Sequence, residues 1–151
     1  MRKAKGFSLI ELLIVVAIIL IIAAIAIPNL VKSKMAANEA AAVGSTRTLI
    51  TSELTYASIF PGTGYTTLGN LYSAGLIDSV LGAGNKSGFT FTVGAGSGTP
   101  STTFTANANP TTPGTTGTNY YCSDQTGVIQ RATASFGTST NPCTGGTPIG
   151  Q

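Results

Sequence analysis

Residues 6 to 11 read Gly6-Phe7-Ser8-Leu9-Ile10-Glu11, and an unbroken apolar run from Leu12 to Ile27 follows. Counted from Phe7, the segment is about 20 residues long, and at 1.5 Å per residue a helix of that length spans about 30 Å, the hydrocarbon thickness of a bilayer. Inside it stands Glu11, although an acidic residue costs roughly 2.5–3.5 kcal/mol at the centre of a membrane helix. A segment that served only as an anchor would have no use for that carboxylate. Ahead of the run, Met1-Arg2-Lys3-Ala4-Lys5-Gly6 is a short basic leader ending in a glycine, and its positive residues keep that end cytoplasmic.

The formal net charge of +3 comes entirely from that leader. Without Arg2, Lys3 and Lys5, the bases are Lys32, Lys34, Arg47, Lys86 and Arg131, matched one for one by Glu11, Glu39, Glu53, Asp78 and Asp124. The basic balance is therefore a topology signal, and no specific nucleic-acid site is evident. Charged residues make up only 9% of the chain, and Gly, Ser and Thr crowd its second half. Such a surface suits packing against copies of itself outside the cell.

Three readings fit a basic start followed by an apolar segment. A secretory signal has a short apolar core and then a small-residue cleavage site, for which Ile22-Ala23-Ala24-Ile25-Ala26 could serve. The second reading is a plain signal anchor, but neither of these accounts for Glu11. The third follows from the leader, glycine, aromatic and glutamate taken together, which resemble the N-terminus of a type IV prepilin or of the related pseudopilins of type II secretion. The resemblance covers roughly the first fifth of the chain. It implies that a prepilin peptidase cuts between Gly6 and Phe7, that the new Phe7 amine is N-methylated, and that Glu11 guides assembly into a helical homo-oligomeric filament. It also implies an inner-membrane precursor, handled by pilus assembly machinery, and an extracellular filament as the product. The physical content is simple: a carboxylate in low dielectric needs a cation, and the amine of a neighbouring subunit is one that every copy brings. Pro28 matches the stem proline of the family. It lacks an amide hydrogen and its ring meets the carbonyl of Ala24. Many relatives also carry a glycine between the glutamate and that proline, whereas this chain has no glycine between Phe7 and Val43. Any opening of the helix is therefore expected to centre on Ala24 to Pro28.

The expected fold class is α+β, with a long N-terminal helix packed on a small antiparallel sheet. The expected divisions are a leader (1–6), a hydrophobic stem (7–28), an amphipathic half of the same helix (29–60) and a head (61–151). Val43, Ile50, Leu54 and Ala57 lie at heptad-like spacing and should cover the sheet, and Pro61-Gly62-Thr63-Gly64 should stop the helix. Residues 65–88 read as a connecting loop with one or two short helices. Alternation in Phe89 to Val93 and in Ser101 to Ala108 predicts strands, followed by a Gly/Thr/Pro linker from Asn109 to Thr118. Asn119 to Cys122, a turn at Ser123 to Gly127, and Val128 to Ala132 read as a hairpin with Asp124 as a turn residue. Ala134 to Gln151 reads as a loose tail. Cys122 and Cys143 lie past the anchor, in an oxidising compartment, and are expected to form a disulfide that pins this tail. Two free thiols are the alternative. A metal site is poorly supported, because the chain has no His and no third Cys.

An enzyme needs convergent titratable groups. Five scattered acids, no His and a paired Cys set do not supply them, so neither catalysis nor a cofactor is expected. Electron conduction along the stem would need closely spaced aromatics, and none occurs between Ser8 and Thr55. A pilus subunit and a pseudopilin remain. The major pseudopilins of the family usually carry an acidic calcium-binding loop near the C-terminus and lack a disulfide, so the sequence favours the pilus subunit. Motility, adhesion, DNA uptake and secretion all employ such subunits, and the residues do not choose among them.

Overall fold

Helix α1 (Leu9–Ile59) is continuous across Pro28 in this computed structural model, which describes residues 6–137 and 142–150. Leu, Ile and Ala dominate its first half, and no glycine interrupts it before Gly44. It ends where Phe60 donates its backbone N–H to the carbonyl of Tyr56 and Pro61 follows. The chain divides into two units, residues 1–34 and 35–151, each described here by itself. The basic leader residues Arg2, Lys3 and Lys5 lie outside the described residues.

The second unit contains the remainder of α1, two short helices and one sheet. Helices α2 (Leu68–Ser73) and α3 (Ser79–Gly82) occupy the expected connecting region. Strands β1 (Asn85–Lys86), β2 (Phe89–Ala95), β3 (Phe104–Pro110), β4 (Tyr120–Asp124), β5 (Ile129–Ala132) and β6 (Thr147–Ile149) pair antiparallel in sequence order. Two of these were not anticipated. Strand β1 closes on β2 through Ser87 and Gly88, both at positive φ, the two-residue turn that matches the twist of a hairpin. The tail expected to be loose supplies β6, paired with β5 through Ile129↔Ile149. Strand β3 also starts later and runs further than its alternation suggested, taking in Asn109 and Pro110.

One face of the sheet is apolar. Phe89, Phe91 and Val93 of β2, Phe104, Ala106 and Ala108 of β3, Tyr121 of β4 and Ile129 of β5 join Ala42, Leu49 and Ile50 of α1 in a single core. The register sets Val93 opposite Ala106 and Phe91 opposite Ala108, so large side chains alternate with small ones and leave room for a neighbouring element. The helix face differs from the predicted one. Leu54 is 50% exposed, whereas Ala42, Ser45, Thr46, Leu49, Ile50, Ser52 and Glu53 are buried. The seam falls about one position away from the predicted stripe and is lined by small and hydroxyl side chains. Their polarity is offset locally: Thr46 Oγ1 donates to the carbonyl of Ala42 at 2.9 Å, and Ser52 Oγ to that of Leu76 at 3.0 Å. A hydropathy stripe cannot register such a face, because hydroxyls that bond within the structure count as polar in sequence.

Two helix carboxylates fix the loops. Glu39 accepts from the backbone N–H of Thr118 (2.7 Å) and of Asn119 (3.1 Å), from Thr118 Oγ1 (3.0 Å) and from Asn119 Nδ2 (2.8 Å). Beside it, Asn38 Nδ2 donates to the carbonyl of Thr116 at 3.0 Å. Gly117 is required between them, since a Cβ there would lie 2.6 Å from the ring of Phe89 and 3.4 Å from Glu39 Cγ. Partial burial raises the Glu39 pKa, but the donors from Thr118 and Asn119 outweigh it and hold the group below the usual glutamate value. Glu53 is the opposite case. It is fully buried, accepts one hydrogen bond from the Thr66 N–H at 2.9 Å, and its Oε1 has no partner among the described residues. Burial pushes its carboxyl up to about 7, against the lowering effect of Thr66.

Glu39→Ala removes the acceptor for five donors, the four above and the Tyr121 hydroxyl at 3.4 Å, and a hydrogen bond to a charged group contributes about 1.5–3 kcal/mol, so at this half-buried site we expect a loss of about 2–4 kcal/mol. Because the folded pKa of Glu39 lies below its ordinary value, this contribution is present above about pH 4.5 and fades as pH falls further. Thermal melts of wild type and variant should therefore converge in acid. For Glu53 the sign is reversed. Between about pH 4.5 and 7 the folded chain keeps a proton that the unfolded chain has released, so stability falls as pH rises through that window. Glu53→Gln should remove this slope and melt higher than wild type at pH 8; equal slopes in the two proteins would contradict the assignment.

Candidate functional site: the stem and its N-terminus

The first unit carries Gly6, Phe7, Glu11 and Pro28 of the residues singled out in the sequence. From Phe7 to Lys34 every side chain is exposed except the half-buried Ala23. Sixteen large apolar residues between Leu9 and Val31 stand among them. Covering such side chains is worth about 1.5–3 kcal/mol each, so their sum exceeds the 5–15 kcal/mol that holds a typical domain together. This helix is long and apolar enough to cross a membrane. Its surface calls for lipid or for other apolar helices.

At its start the sequence Ser8-Leu9-Ile10-Glu11 forms one half of a capping box. The Ser8 carbonyl accepts from the Leu12 N–H at 3.2 Å, which makes Ser8 the cap and Glu11 the third helical residue. Glu11 Oε2 reaches back to accept the Ser8 N–H at 2.9 Å. A carboxylate is favoured at that position by the helix dipole. Glu11 Oε1 has no hydrogen-bond partner among the described residues, and the whole side chain is exposed. Phe7, 80% exposed, lies immediately before the cap. Gly6 precedes it, and a Cβ built there would meet nothing within 4 Å. Packing among the described residues thus sets no requirement for glycine at position 6. Further along, α1 passes through Pro28 and continues, with Ser33 Oγ bonded to the carbonyl of Asn29 at 2.9 Å. Proline has no N–H to give the carbonyl of Ala24, so that turn of the helix is one bond short.

The family described as "Prokaryotic N-terminal methylation motif" matches residues 1–27, which contain Gly6, Phe7 and Glu11. The N-terminal segment is similar to that of type IV pilins. The type IV wide pilus major component PilA4 of Thermus thermophilus is 64% identical over 39 residues, which is 26% of this chain and 30% of that protein. The chain thus spans less than a third of the length of the curated relative it matches. No solved structure matches the chain significantly. The likeness to known pilins is in the stem; the head is described by its own geometry.

Cys122 and Cys143 form a disulfide, with 5.9 Å between their Cα atoms. Cys122 shares one row of the outer sheet face with Asn107 and Gln130. The tail is held there by two further bonds, from Asn107 Nδ2 to the carbonyl of Gly137 (3.0 Å) and from the Cys143 N–H to Asp124 Oδ2 (2.9 Å). Asp124, 3% exposed, also accepts from the Thr126 N–H at 2.9 Å and from Thr126 Oγ1 at 2.6 Å. It is the expected turn residue and, in addition, a tie to the tail. The sequence gives no sign of that second bond, because its donor is 19 residues away. Glu39 was likewise not singled out, since its partners lie 79 and 80 residues further on.

Replacing either cysteine by serine should lower stability by about 2–5 kcal/mol, and should reduce the amount of protein before it affects the N-terminal segment. Alkylation without reductant followed by peptide mapping should label neither position in the wild type. A dimer band on a non-reducing gel would instead mean that the bond joins two subunits.

Proposed function

We propose that the chain is a structural subunit of a type IV pilus, made as a membrane-anchored precursor, cut between Gly6 and Phe7 and N-methylated at Phe7. In this reading Glu11 pairs with the Phe7 amine of a neighbouring copy and sets the register between stems in a helical filament. Residues 7–28 act as the assembly stem, 29–60 as the half of the helix that serves the head, and Pro28 as the site of local opening. The observation that carries the proposal is the placement of an exposed carboxylate one helical turn from Phe7, on a helix whose apolar surface its own chain leaves uncovered. Its capping bond to Ser8 uses one oxygen and leaves the other available for an amine. The freedom from steric demand at Gly6 supports the cleavage reading, because the need for glycine there then comes from a peptidase and not from the fold.

A pseudopilin of type II secretion is the second reading, since the resemblance at residues 6–11 extends to both. The Cys122–Cys143 disulfide favours the pilus, as does the absence of any group of three or more acidic, His or Cys residues placed to hold a metal among the described residues. The similar Thermus thermophilus protein is a major pilus component, which points the same way.

Intact-mass analysis of sheared surface filaments is the direct test. We expect a subunit that starts at Phe7 and carries one methyl group on its amine; a subunit retaining Met1 to Gly6, or starting near Ala24, would overturn the proposal. Glu11→Ala should leave the subunit processed and inserted, because the change removes a cost in lipid, yet filaments should be scarce. Glu11→Gln keeps an oxygen for the Ser8 N–H but loses the charge, and it should fail in the same way. Normal filament yield from Glu11→Gln would assign the residue to helix capping alone.

A further inference from the structure

The other end of the apolar stem also carries charge. Lys32 and Lys34 are exposed, and neither makes an ion pair or a hydrogen bond among the described residues. No acidic residue stands between Glu11 and Glu39. Nor is a carboxylate to spare: Glu39 is taken by Thr118 and Asn119, Glu53 is buried, Asp78 pairs with Lys86 at 2.8 Å, and Asp124 holds Thr126 and Cys143. Two positions apart on a helix, the two lysines project about 200° from each other, to opposite sides. They lie about 7.5 and 10.5 Å along the axis beyond Ile27, the last residue of the apolar run, if the helical rise of 1.5 Å per residue is applied. The headgroup layer is about 5–8 Å deep on each side of the hydrocarbon, and a lysine stem can reach back several ångströms to place its ammonium there.

We infer that Lys32 and Lys34 form a cationic collar that binds the phosphodiester groups of anionic phospholipids in the leaflet through which the stem leaves the membrane. On the processing reading proposed above, on which this clause rests, the collar has a second property. Cleavage after Gly6 removes Arg2, Lys3 and Lys5, so the side-chain cations flanking the span change from both ends to the exit end alone. The precursor is held by its leader in one leaflet and by its lysines in the other. The mature chain keeps only the second hold, and its Glu11 end has no cationic side chain to resist movement across the bilayer.

The test uses the mature chain, starting at Phe7, in nanodiscs of equimolar phosphatidylcholine and phosphatidylglycerol, with retained lipids counted by native mass spectrometry. Each lysine near an anionic surface contributes about fivefold in local preference, or about 30-fold together. The wild type should therefore retain phosphatidylglycerol in clear excess, and 0.5 M salt should erase that excess. The variant K32Q/K34Q should retain the two lipids equally, while K32R/K34R and the head variant R47Q/R131Q should keep the preference. Equal retention by the wild type, or an unchanged excess in K32Q/K34Q, would overturn the collar. The precursor should show additional phosphatidylglycerol that K32Q/K34Q does not remove; its absence would overturn the two-leaflet account. If the filament subunit proves to retain Met1, the processing reading and the claim of a sole anchor fall together, while a lysine-dependent excess still upholds the collar.

Discussion

Uncovered apolar surface is the condition on which the behaviour of this chain depends. From Leu9 to Val31 the stem offers large aliphatic side chains on every side of a helix, with none of the described residues of its own unit packed over them. A helix that is apolar all round is stable only in an apolar surrounding. Two such surroundings exist, lipid and a bundle of like helices, and they are nearly equivalent as solvents for leucine and isoleucine. The transfer from one to the other is therefore close to neutral in hydrophobic terms. What tips it must be polar, and between Leu9 and Pro28 the polar side chain is that of Glu11.

That carboxylate begins with a partner. Its bond to the Ser8 N–H keeps one oxygen occupied within the chain, at the positive end of a helix dipole. An amine brought by a second copy would add to this arrangement, because the cap uses Oε2 and leaves Oε1. Assembly on this account needs no unfolding of the first turn. It supplies a countercharge to a group that had been given only a hydrogen bond.

The stem and the head differ in how far they can be understood from sequence alone. Stem chemistry is local: Gly6, Phe7, Ser8 and Glu11 fall within six residues, and the apolar run follows without interruption, so order along the chain equals order in space. The strands of the head were largely visible for the same reason, since Phe89, Phe91 and Val93 alternate. Polar burial was not visible. Glu53 resembles any surface glutamate until Thr66 is seen to be its hydrogen-bond donor, and the helix seam of Ala42, Thr46 and Leu49 reads as weakly amphipathic because its hydroxyl is satisfied one turn back. Strand β6 escaped notice because three residues containing a proline carry almost no strand signal; its pairing with β5 is a property of the neighbour.

Strand order in the head follows sequence order from β1 to β6 without a crossover. From β2 onward each strand pairs with the one that precedes it in the chain, so pairing can proceed from one end with little loop entropy to overcome. Asn38 and Glu39 of α1 are long-range exceptions, since they must wait for residues 116, 118 and 119. Their grip on that loop closes only after three strands are available, so a chain that stops short of it leaves the Glu39 carboxylate without its donors from Thr118 and Asn119.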